Sequence, residues 1–111
     1  MAVKAGVDAR VIVELFQKSG IGRNHDLQVS LPVTLFRGDF EPCFAMETAL
    51  KDMRLATALA EAEGVPVPVA RLCEAEMLEA VARGWGARDH AVYLTLQEER
   101  AGVRVRIGEG S

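Results

Sequence analysis

The sequence predicts an all-α fold, a compact bundle of about five helices, and three observations carry that expectation. Half of the 111 residues are hydrophobic but only 5% are aromatic. With Ala, Val and Leu prominent, this composition suits close-packed helices better than a β-sandwich. Apolar residues recur at i, i+3, i+4 and i+7, the spacing of helices that each bury one face. Glycines and prolines fall where such helices would stop or start. A chain of this size buries roughly two-thirds of the surface of its unfolded form, enough for one core. Residues 1–111 are therefore expected to form a single domain.

Taken in order, Met1 to Ala5 read as the last turn of a helix stopped at Gly6, a C′ residue. Asp8 caps the next helix, whose apolar face is Val11, Ile12, Leu15 and Phe16; Glu14 and Lys18 stand i, i+4, and Ser19-Gly20-Ile21-Gly22 ends it. Asn24 or Asp26 starts a further helical stretch, which Pro32 kinks or divides into two short pieces.

The stretch from Gly38 to Leu59, GDFEPCFAMETALKDMRLATAL, organises the rest. Gly38, Asp39 and Pro42 make a turn, and Asp39 and Glu41 are placed to cap a following helix. From Phe44 onward the pattern is helical, with Met46, Ala49, Leu50, Met53, Ala56 and Ala60 on the inner stripe. Phe44, Thr48 and Lys51 would line one side of that helix, and Glu47 and Lys51 are spaced for an ordinary ion pair. Gly64-Val65-Pro66-Val67-Pro68 is a stiff connection, with Pro68 opening a helix that turns Val69, Leu72, Cys73, Met77, Ala80 and Val81 inward and ends near Gly84. Asp89 caps a last helix with Val92 and Leu96 inward, and Gly102 closes it. Val103 to Ile107 alternates apolar and basic residues as a strand would, yet has no partner strand, so residues 103–111 are expected to fray, the alternative being pairing with another chain.

Net charge is −3 and the sequence pI is near 5.4, with the basic residues scattered, which argues against a nucleic-acid face or a small helical DNA-binding domain. Cys43, Cys73, His25 and His90 form no metal-ligand spacing. Two thiols without a disulfide framework suit a reducing compartment. With no signal peptide and no apolar run near the ~20 residues of a membrane span, a soluble cytoplasmic protein is expected, without membrane contact.

The central stretch resembles the C-terminal domain of the β-hydroxyacid dehydrogenases, the family of 3-hydroxyisobutyrate dehydrogenase and its 6-phosphogluconate dehydrogenase-like relatives. Those enzymes carry a GDFxPGF turn followed by a helix with a KDLxLA motif; the matching residues are Gly38, Asp39, Phe40, Pro42 and Phe44, then Lys51, Asp52, Leu55 and Ala56. The opening AGVD, the GVPVP turn and GWGARDHA are similar to further family segments in order and spacing. The resemblance implies the family's all-helical C-terminal domain and gives Lys51 and Phe44 a cofactor-binding role at the nicotinamide end of NAD or NADP. It gives Asp52 a substrate-binding or site-orienting role. Cys43 replaces the glycine usual before that phenylalanine.

Two family features are absent from the sequence. No GxGxxG turn is present, since Gly20-Ile21-Gly22 reads as a helix stop, and no segment resembles the GxxGxGxxxKxxNN helix that carries the family's catalytic lysine. Lys4 and Lys18 lie outside that pattern, so no catalytic residue is assigned. The resemblance thus implies a part of an NAD(P)-dependent hydroxyacid dehydrogenase, inactive alone, whose partners are the Rossmann domain of the same enzyme and further copies in a homo-oligomer. The alternative is a stand-alone helical interaction module that has kept the fold without the chemistry.

Overall fold

Five α-helices, α1 (Ala9–Lys18), α2 (Leu31–Val33), α3 (Met46–Ala62), α4 (Pro68–Ala82) and α5 (Thr95–Ala101), follow one another without a strand among the described residues. The computed structural model describes residues 1–20 and 24–108. The all-α expectation holds. The predicted stop at Ile21 and Gly22 falls outside the described residues, and those residues group into two compact units, Met1–Phe40 with Leu94–Ser111, and Glu41–Tyr93. No described helix is long and apolar enough to cross a membrane.

In the first unit, Met1 to Gly6 form a closing helical turn as expected. The Gly6 N–H donates to the Val3 carbonyl and the Val7 N–H to that of Ala2, a Schellman pair around Gly6 at φ 97°. Asp8 caps α1, its Oδ1 accepting from the Arg10 N–H at 2.8 Å. The apolar stripe of α1 is only partly covered: Val13 is buried and Ile12 half-buried, whereas Val11, Leu15 and Phe16 remain exposed. A hydrophobic stripe states which residues want cover, not which of them this unit covers.

Pro32 divides the next stretch as expected, into a π-turn over Asp26–Ser30 and the three-residue α2. Asn24 Oδ1 accepts from the Leu27 N–H, and the Gln17 side-chain amide donates to the Leu27 carbonyl, tying this stretch to α1. Val13, Leu35 and Phe36 form the core of the unit, with Ile12, Leu27, Leu31, Phe40, Leu94, Val105 and Ile107 packed on it. Val103 to Gly108 is therefore anchored where fraying was expected, and the rest of that expected tail, 109–111, lies outside the described residues. Val105 and Ile107 point their alternate side chains into the cluster, the Ile107 N–H donates to the Phe36 carbonyl at 2.6 Å, and Glu98 Oε2 accepts from both the Val105 N–H and Arg106 Nη1. The period-two pattern is real, and its partner is a single turn of backbone.

In the second unit α3 and α4 pair across the Gly64–Pro68 connection. The Val65 N–H donates to the Ala60 carbonyl around Gly64, and Pro68 opens α4 as expected. Met46, Ala49 and Leu50 of α3 and Met77 and Ala80 of α4 are buried, but Leu55, Leu59, Val69 and Leu72 are exposed. Of the predicted faces, α3 buries Met46, Ala49 and Leu50 and leaves Ala56 exposed, while α4 buries Met77 and Ala80 and leaves Val69 and Leu72 bare; Leu55 and Leu59 lie off the predicted stripe. One polar contact joins the helices from within: the buried Thr57 hydroxyl donates to Glu74 Oε2 at 2.8 Å, and Arg71 lies 3.6 Å from the same oxygen. Thr57→Val removes that donor while keeping the shape, and a hydrogen bond to a charged group contributes about 1.5–3 kcal/mol. Urea unfolding is expected to show a loss of about 1–2 kcal/mol, and no loss would mean that Glu74 is held by Arg71 alone.

Candidate functional site

The turn ahead of α3 is held from outside. Asp89, 1% exposed, sits at its centre: Oδ1 accepts from the backbone N–H groups of Cys43 and Phe44, each at 3.1 Å, and Oδ2 from that of Ala91 at 2.9 Å. The His90 N–H donates to the Phe44 carbonyl at 2.7 Å, beside an isolated antiparallel bridge between Ala45 and Asp89. The same segment supplies the cap of α3. Its N-cap is Ala45, with no side-chain bond, and the Met46 and Glu47 N–H groups donate to the carbonyls of Arg88 and Gly86 at 2.8 and 2.9 Å. Asp39 and Glu41 were the expected caps. Backbone carbonyls brought by the fold take that role, since the exposed N–H groups of a helix start need acceptors of any origin.

Phe44 lies in this turn, before the first residue of α3, so it does not continue the line of Thr48 and Lys51 along the helix. The residue is 40% exposed and its ring packs on His90, the centroids 5.6 Å apart and the planes at 69°. Upstream, Gly38 stands at φ 70°, with its N–H on the Leu35 carbonyl and the Asp39 N–H on that of Thr34. That left-handed turn is the physical reason for glycine at the head of the GDF motif.

Lys51 is exposed on α3, and the expected pair with Glu47 does not form: among the described residues its side chain makes no hydrogen bond or ion pair. Glu47 instead lies over Gly86, where a Cβ would come within 3.2 Å of its Oε2. Lys51, Glu47, Leu50, Arg54 and Leu55 line an open hollow of about 310 Å³. Phe44 and Asp52 are not among the lining residues, and Asp52, one position on from Lys51, points roughly 100° away around the helix.

The hollow therefore has an aliphatic floor, two cations and one carboxylate. Its size is at the low end of small-molecule pockets. Its polar groups are the ammonium of Lys51, which can donate three hydrogen bonds, the Arg54 guanidinium and the Glu47 carboxylate; Phe44 stands outside the lining. Sequence reasoning missed Arg54, although its i, i+3 spacing from Lys51 puts both on one face. It also gave Asp89 as the cap of the last helix, whereas Asp89 precedes a 3-10 helix over His90–Leu94, α5 begins only at Thr95, and the carboxylate also bonds Cys43 and Phe44.

The described residues thus give a helical fold with one open hollow on α3 that carries two cations, one carboxylate and an aliphatic floor. The chain belongs to the family described as NAD-binding of NADP-dependent 3-hydroxyisobutyrate dehydrogenase, whose model matches residues 1–96. It is 28% identical over 109 residues to 2-(hydroxymethyl)glutarate dehydrogenase of Eubacterium barkeri, an alignment covering 98% of this chain and 36% of that protein. The crystal structure of a 3-hydroxyisobutyrate dehydrogenase from Salmonella typhimurium superposes with a TM-score of 0.66 at 20% identity, covering 86% of this chain and 33% of that one, a likeness of fold. The chain thus spans about a third of the length of both relatives.

Proposed function

We propose that this chain is the C-terminal helical domain of an NAD(P)-dependent β-hydroxyacid dehydrogenase of the 3-hydroxyisobutyrate type. In that role it completes the nicotinamide and substrate site over a Rossmann domain and contributes to oligomerisation. Family membership supports the class of chemistry. The relative that acts on 2-(hydroxymethyl)glutarate fits it too, because that compound carries a hydroxyl β to a carboxylate.

The observation that carries the reading is Lys51, an exposed ammonium with no partner among the described residues, standing over the hollow. A lysine kept out of the ion pair its own helix offers is available to donate to ribose or carboxamide oxygens. Phe44 supplies a flat apolar wall and excludes water, and Asp52 orients the polar groups beside the hollow. Bound NAD(P) supplies the hydride chemistry, and no residue of this chain serves as the general acid, so the chain alone does not turn over.

The test is Lys51→Ala in the enzyme that joins this chain to its Rossmann domain. Losing a charged hydrogen bond of about 1.5–3 kcal/mol is expected to weaken NAD(P) affinity and kcat/KM by roughly tenfold to a hundredfold. Folding stability should stay within about 0.5 kcal/mol, as for other exposed sites. Unchanged affinity and turnover would remove Lys51 from the site. A second reading, a helical interaction module, is favoured by the bare apolar residues Leu55, Leu59, Val69 and Leu72; it would then be the one to pursue.

A further inference from the structure

The geometry points to His90 as a positioning residue of this site, which sets the Phe44 ring and through it the grip on the nicotinamide or substrate. The inference rests on the reading of Phe44 as a wall of that site. It starts from an anomaly: His90 Nδ1 is buried without a hydrogen-bond partner. A buried polar atom left in that state calls for an explanation.

The surroundings give one. Nδ1 stands 3.5 Å from Asp89 Oδ2, beyond good hydrogen-bond reach but close enough for the carboxylate to favour one orientation of the imidazole. Asp89 is itself fixed by the N–H groups of Cys43, Phe44 and Ala91. With Nδ1 turned inward, the ring meets Phe44 in a T-shaped contact, and 32% of the His90 side chain stays exposed beside it. The backbone closes the arrangement, since the His90 N–H donates to the Phe44 carbonyl. One carboxylate therefore fixes the backbone of Phe44 directly and its ring through His90. Without the imidazole, the Phe44 backbone would keep its place while the ring became free to choose other rotamers.

The experiment compares His90→Ala, His90→Phe and His90→Gln in the enzyme that joins this chain to its Rossmann domain, with Lys51→Ala measured alongside. Every variant keeps the backbone N–H that bonds Phe44. Removing the ring is expected to raise KM for the cofactor or substrate about threefold to tenfold, the range that an edge-to-face aromatic pair contributes, with kcat within about twofold. His90→Phe restores the ring contact and is expected to return KM to within about twofold, whereas His90→Gln is not. An unchanged KM in His90→Ala would overturn the inference. Recovery by Gln and not by Phe would overturn it as well, because the imidazole would then act as a polar group. The Lys51→Ala control separates the two levels: if it impairs the enzyme while His90→Ala does not, the site stands and the role of His90 falls.

Discussion

Asp89→Ala is expected to lower the stability of the chain by about 3–5 kcal/mol, the largest loss from any single polar group here. The side chain is buried and its two oxygens accept from three backbone N–H groups, two of them more than forty positions away in sequence. Each bond to a carboxylate contributes about 1.5–3 kcal/mol, and each buried N–H left without an acceptor costs about 1–3 kcal/mol. These figures are not additive, because water entering the turn would recover part of the loss.

Asp89→Asn refines the test. An amide keeps one oxygen, so it can serve Cys43 and Phe44 together, but it then turns its NH2 toward the Ala91 N–H, donor against donor. Its loss should be smaller, about 1–2 kcal/mol. Denaturant unfolding of both variants measures the difference. A loss below about 1 kcal/mol for the alanine variant would mean that the turn before α3 is held by its backbone bonds to Gly86, Arg88 and His90.

The contrast with Lys51 separates two kinds of site residue. Asp89 builds the turn and its removal should be felt in folding; the Lys51 side chain makes no hydrogen bond or ion pair among the described residues, and on the proposed reading its removal should be felt by a ligand. Sequence reasoning reached Lys51 through resemblance, since an exposed lysine on a helix is unremarkable by spacing alone. It reached Asp89 only as a helix cap, because the bonds to Cys43 and Phe44 cross a sequence distance that no local pattern encodes.

The same division runs through the fold. Asp8 as a cap, Gly6, Gly64 and Gly84 as stops, and Pro68 as a helix start were all legible, because each is decided within about six residues. The cap of α3 was not: Asp39 and Glu41 had suitable chemistry, and distant carbonyls took the place. Nor did the stripes of α1 and α4 reveal that Leu15, Phe16, Val69 and Leu72 would stay bare, since periodicity reports a face and says nothing of its cover.

Phe36→Ala is expected to cost about 3–5 kcal/mol, the usual range for deleting a buried aromatic, and it tests whether the first unit has one core. Phe36 is 5% exposed and sits with Val13 and Leu35 in a buried apolar cluster of that unit. It also holds the chain end in two ways. Its carbonyl accepts from the Ile107 N–H, and the cluster it belongs to receives the Val105 and Ile107 side chains. Alanine preserves the carbonyl and removes the apolar cover, so the two contributions separate. If the hydrogen bond alone fixes the tail, the Ile107 amide should exchange with solvent as slowly as before. The packing argument expects the opposite, because a lone backbone bond exposed to water is worth little net: exchange at Ile107 should accelerate roughly in step with the stability lost. Phe36→Leu keeps most of the apolar volume and should cost under about 1.5 kcal/mol, with Ile107 still protected. Should the alanine variant lose less than about 2 kcal/mol with Ile107 unchanged, the alternating tail would owe its position to the Glu98 contacts with Val105 and Arg106 and not to the core.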